Sequence, residues 1–120
     1  MNRYIFLIGL LLSGQSGADC YVAGEPVGFQ GEQVVFELEF GDDCPKQYNA
    51  WFAVLYSLEN TEGEPEENCL VNKERKSAGK GLQVRRIAID IEADSRPPYA
   101  LKHMRTKQEA EQYCSTVNHR

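Results

Sequence analysis

Between residues 33 and 40 the chain reads QVVFELEF, with Val34, Phe36, Leu38 and Phe40 alternating against Val35, Glu37 and Glu39. A period of two is that of a β-strand with one buried face. The segment AWFAVLYSL, residues 50–58, is apolar on both faces apart from Ser57. It therefore predicts a central strand covered on both sides. A third run, LQVRRIAIDI at residues 82–91, changes phase: Leu82 and Val84 share one side, while Ile87, Ile89 and Ile91 share the other. A β-bulge at Arg85 and Arg86 would reconcile the two sets by inserting one residue at the break. Shorter strands are expected at 20–23, 27–29, 69–72 and 99–103, and SAGKG at 77–81 reads as a flexible turn.

After Pro97 and Pro98, which break regular structure, the period changes. Thr106 and Glu109 form a T-x-x-E capping box, and Ala110, Tyr113, Cys114 and Val117 follow at helical spacing on one apolar face. Strands at short spacing followed by a single helix predict a mainly β fold. The architecture expected is an antiparallel β-sandwich or half-barrel, stabilised by disulfides, with one C-terminal α-helix on a face or across an end. No helical pattern separates the strands, which argues against βαβ units.

The N-terminal stretch alters the cellular setting of this fold. Arg3, an apolar run from Tyr4 to Leu12, and small or polar residues up to Ala18 have the layout of a secretory signal peptide. With Ser16 and Ala18 as the small residues before the cut, residues 1–18 form the leader and 19–120 a single small domain. The apolar run is shorter than the ~20 residues of a membrane span, so stable membrane insertion is not expected. Lipid attachment at Cys20 would need a small residue just before it, and Asp19 stands there.

Four cysteines follow the leader: Cys20, Cys44, Cys69 and Cys114. An even count in an exported chain of this size points to two disulfides and a periplasmic or secreted location. The wide spacing does not fit a structural zinc site, which uses close ligand pairs. Three pairings are open. We favour Cys20 with Cys44 and Cys69 with Cys114, since each bridge then ties one chain end to the body.

Loss of Arg3 with the leader leaves 12 basic against 18 acidic residues, a net charge near −6. An overall negative field does not attract nucleic acid or an anionic membrane. The charge is uneven, however: Glu59, Glu62, Glu64, Glu66 and Glu67 fall within residues 57–68 without a basic residue, and residues 73–86 carry six basic residues. The simplest expectation is two solvated loops that reduce each other's repulsion. The alternative is that one meets an oppositely charged partner.

Catalytic chemistry has little to draw on. His103 is the better placed of two histidines to act as a base, yet a histidine at a strand end is more often a surface or half-buried residue. Glu37, Glu39, Asp90 and Glu92 read as the polar faces of strands rather than as a hydrolytic pair, and Gly63 and Pro65 make the acidic loop look mobile. The acidic loop lacks the ligand spacing of an EF-hand, and Gly79–Gly81 lacks the rest of a phosphate loop. Neither a metal nor a cofactor is expected. Tyr48 and Trp51 are candidates for an aromatic contact patch, with core packing the preferred reading for Trp51. The expectation is a small exported binding protein of inhibitor or immunity type. It would block another exported protein, such as a cell-wall hydrolase, by placing Glu59, Glu62, Glu64, Glu66, Glu67 and Tyr48 in a basic cleft. The alternatives are an assembly factor or structural subunit that acts by sheet-edge pairing, and a small secreted hydrolase. Sequence fixes no oligomeric state.

Overall fold

A computed structural model describes residues 20–79 and 81–119; the expected leader lies outside them. Six strands precede one helix: β1 (Val22–Gln30), β2 (Gln33–Phe40), β3 (Asn49–Glu59), β4 (Pro65–Arg75), β5 (Gln83–Asp90), β6 (Arg96–Met104) and α1 (Lys107–Asn118). They form two antiparallel three-stranded sheets, ordered β1-β2-β5 and β4-β3-β6. The sheets face each other and converge where β1 runs alongside β6. At that seam the Phe29 ring meets Tyr99 edge-on at 6.0 Å. Gly24 allows the close approach, because a Cβ there would stand 2.6 Å from Leu101 Cδ1.

The alternation of β2 is the core. Val34, Phe36, Leu38 and Phe40 point inward with at most 2% of their surface exposed, opposite Phe52, Val54 and Tyr56 of β3. Each buried side chain of this size is worth ~1.5–3 kcal/mol. β3 is the central strand that its apolar run predicts: its outer-face Ala53 and Leu55 pack beneath α1 against Cys114 and Val117. Thr106 Oγ1 caps the helix by accepting from Glu109 N at 3.0 Å. Disulfides join Cys20 to Cys44 and Cys69 to Cys114, the favoured pairing.

The sequence reading needs correction in three places. No bulge interrupts β5, whose register with β2 runs unbroken from Phe40 opposite Gln83 to Gln33 opposite Asp90. Continuity puts Arg85 on the inner side and leaves Val84 54% exposed on the outer side. Arg85 tolerates the inner position because its guanidinium lies 5.8 Å over the Phe40 ring and reaches the sandwich rim. There Nη2 donates to Glu74 Oε1 at 3.3 Å and to the Arg75 carbonyl at 2.6 Å, which ties β5 to β4. The register shifts lie instead between Pro26 and Gly28 in β1 and between Leu55 and Ser57 in β3.

The expected short strands are also longer. β1 is continuous across both short predictions, β4 takes in Pro65–Glu67, and β6 includes Pro97 and Pro98. Proline is tolerated in these strands because both lie at sheet edges, where a missing N–H breaks no ladder bond.

The third correction concerns charge. The acidic residues run from Glu59 at the end of β3 to Glu67 at the start of β4, and the basic ones begin with Lys73 near the end of β4, so the middle of β4 separates them. From Glu67 to Lys73 is six residues, at ~3.3 Å each about 20 Å, more than two Debye lengths at physiological salt. The two runs form opposite poles and do not neutralise each other.

Candidate functional site

The acidic pole centres on the β3–β4 hairpin. Glu59 pairs with Pro65 at its mouth, with Ser57 opposite Glu67 and Leu58 opposite Glu66. Asn60 organises the tip: its Oδ1 accepts from Glu62 N at 2.9 Å and from Glu64 N at 3.0 Å. The Asn60 N–H donates to the Glu64 carbonyl at 2.8 Å, and Gly63 N–H returns to the Asn60 carbonyl at 3.0 Å. An asparagine whose side chain bonds the following backbone builds such a turn from within, and Gly63 supplies the φ of 80° that closes it. The tip is thus a defined, internally hydrogen-bonded turn in which Gly63 and Pro65 have set places.

The topology gathers further acids at the same end. Glu32 lies in the β1–β2 turn, Asp90 ends β5, and Glu92 and Asp94 lie in the β5–β6 connection. Tyr56 Oη donates to Glu92 Oε2 at 3.0 Å, which binds that connection to β3. Burial together with the Glu92 carboxylate pushes the Tyr56 phenol up to about 12. Arg96 lies 3.6 Å from Glu59. Among the described residues, no cation lies within ion-pair distance of Glu62, Glu64 or Glu66.

The basic residues are used differently, since most of them serve the fold. Lys76 is fully buried, with Nζ donating to the Cys44 carbonyl at 3.0 Å and its backbone N–H to the Tyr48 carbonyl at 2.8 Å. It straps the 41–48 loop to the end of β4. Arg85 joins the sheets at their rim, as above, and Arg86 Nε lies 3.6 Å from Glu37 Oε2 on the outer face of the first sheet. Lys73 and Lys107 place their ammonium groups 5.5 Å and 5.7 Å from the Trp51 ring. Trp51 is therefore not the core residue preferred from sequence: it is half-buried on the outer face of the second sheet, flanked by lysines.

Tyr48 also departs from expectation. It is buried, at 9% exposure, and its Oη stands 3.2 Å from His103 Nε2, with the two rings edge-on. The His103 ring is tilted against Phe52 at 5.7 Å. The pair therefore joins the 41–48 loop to β6 inside the domain, and Tyr48 does not share a surface with the five glutamates. Glu37 and Glu39 do lie on the polar face of β2, whereas Glu92 is committed to Tyr56. Among the described residues, no helix is long and apolar enough to cross a membrane, and no cluster of side chains has the makeup of a metal site.

No family model, curated protein or solved structure matches this chain. Two disulfides are the covalent chemistry of an oxidising compartment. The function has to be argued from the surface itself.

Proposed function

We propose that the protein is an exported, periplasmic or secreted binding protein that blocks another exported protein by inserting its acidic hairpin into a basic cleft. The observation that carries this reading is the contrast between the two charged runs. Most of the basic residues of their run contact other parts of the chain, whereas the carboxylates of Glu62, Glu64 and Glu66 stand exposed on and beside a turn organised by Asn60. Fixing charged groups before encounter lowers the ordering cost of binding, and a concentrated field of one sign speeds association with its complement. Glu59 and Glu67 flank these three at the base of the hairpin. A cell-wall hydrolase with a basic substrate cleft is the kind of target that fits.

Capture from the source's own exported proteins, with the oxidised protein as bait, supplies the partner. The variant E62Q/E64Q/E66Q/E67Q should then bind it at least about tenfold more weakly, chiefly through slower association, and lose most of the salt dependence. Equal affinity and an unchanged salt slope would remove the hairpin from the interface.

A further inference from the structure

We infer that β5 is a dimerisation edge, and that a second copy of this chain pairs with it antiparallel about a twofold axis at Ala88. The argument begins with the four sheet edges, three of which are protected. β1 and β6 lie against each other, and Pro26, Pro97 and Pro98 remove N–H donors from them. On β4, the Asn118 side chain of α1 occupies both edge-facing groups of Cys69: Cys69 N–H donates to Oδ1 at 2.9 Å, and Nδ2 donates to the Cys69 carbonyl at 3.0 Å. Arg85 takes the carbonyl of Arg75 further along the same strand.

β5 has no comparable cover. Among the described residues, no helix, proline or backbone bond outside the β2 pairing protects residues 86–90. An uncovered edge is a template for another strand, and edge charges such as Arg86 and Asp90 repel a partner only where no opposite charge meets them. The outer-face row of β5, Val84, Arg86, Ala88 and Asp90, is exposed throughout, and the inner row carries Ile87 and Ile89.

The register follows from chemistry. Symmetric antiparallel pairing must match outer row with outer row, since a slip of one residue would turn the isoleucines to solvent. A twofold at Arg86 or at Asp90 opposes like charges. A twofold at Ile87 sets Asp90 against Val84, and one at Ile89 leaves Arg86 opposite Glu92, beyond the strand. With the twofold at Ala88, Arg86 faces the partner's Asp90 on both sides of the axis, Ile87 faces the partner's Ile89, and alanine meets alanine at the centre. Arg86 then stands between Glu37 of its own chain, 3.6 Å away, and a carboxylate of the other copy. Antiparallel docking also sets the acidic pole of each copy beside the basic pole of its partner, so the long-range field favours the same arrangement. The union is isologous and closed, which ends growth at two copies.

With the axis at Ala88, residues 86–90 of each β5 (Gln83–Asp90) pair, which buries far less than a standard interface, so the dimer should dissociate in the range of about 10–100 µM. Sedimentation of the purified oxidised protein from 1 to ~500 µM tests this: a monomer–dimer equilibrium is expected, and a monomer throughout would overturn the inference. R86D and D90R should each weaken the dimer about tenfold, and the swap R86D/D90R, made together with E37K so that residue 86 keeps an opposite charge beside it in its own chain, should restore it. Failure of the swap in a variant with native circular dichroism refutes the register. A88C should cross-link to itself under mild oxidation, whereas V84C, equally exposed on the same strand but far from its counterpart, should not. Cross-linking of both or of neither also refutes it.

Discussion

Replacing Tyr56 by Phe isolates a bond that fixes the β5–β6 connection beside the acidic hairpin. In the wild type Tyr56 is 5% exposed as a residue, and its phenol donates to Glu92 at 3.0 Å and has its pKa pushed from 10.0 up to about 12. At neutral pH the variant loses a hydrogen bond to a carboxylate, worth ~1.5–3 kcal/mol. The pH dependence is the sharper test. A phenol held in its protonated form by the fold contributes stability that is complete below its unfolded pKa and is lost as pH rises through its folded pKa. With about 1.36 kcal/mol per unit, the loss is about 1 kcal/mol at pH 11 and about 2 kcal/mol at pH 12. Urea unfolding of both proteins at pH 8, 10, 11 and 12, followed by Trp51 fluorescence with disulfides intact, measures the difference directly. Lysine and arginine titration affects both proteins alike and cancels. The advantage of the wild type should shrink by those amounts above pH 10. A constant gap across that range would mean that the Tyr56 proton is not held by the fold.

N118A should lower stability by about 1–2 kcal/mol, since it removes two hydrogen bonds and bares the Cys69 edge; a denaturant midpoint equal to that of the wild type would refute the seal, and increased light scattering would accompany its loss. C69A/C114A should cost ~2–5 kcal/mol, read from the same midpoint, because the bridge closes a separation of 45 residues and fastens the helix to β4.

The elements legible from sequence were those in which hydrophobicity alone sets the pattern. β2 alternates without exception, β3 is apolar on both faces, and the α1 face follows from Thr106, Glu109 and the residues at helical spacing. Arg85 misled because an amphipathic side chain can hold an inner position with its stem over Phe40 and its charge at the rim, so polarity wrongly suggested a change of phase. Tyr48 and Trp51 exchanged roles for a related reason: an aromatic side chain in a loop can be buried by a partner such as His103, and one in an apolar strand can reach past the end of the covering helix to lysines. The hairpin tip looked loose because glycine and proline were read as freedom, whereas Asn60 made them parts of a defined turn. The separation of the charges was recoverable, since the connections that enter and leave a single strand, here β4, necessarily lie at its opposite ends. The Asn118 seal and the self-complementary spacing of Arg86 and Asp90 were beyond periodicity, because each depends on knowing which strands lie at an edge.

The Asn118 amide bears on the order in which the domain becomes safe. It comes from the helix, which follows all six strands in the chain, so as the chain folds from its N-terminal side the sheets can assemble while β4 still offers its free side to any neighbouring extended polypeptide. Only when the last turn of α1 arrives does that side close, and oxidation of Cys69 with Cys114 then makes the closure lasting. Reducing conditions that delay this final step should therefore enrich clumped material even though every strand has already found its mate.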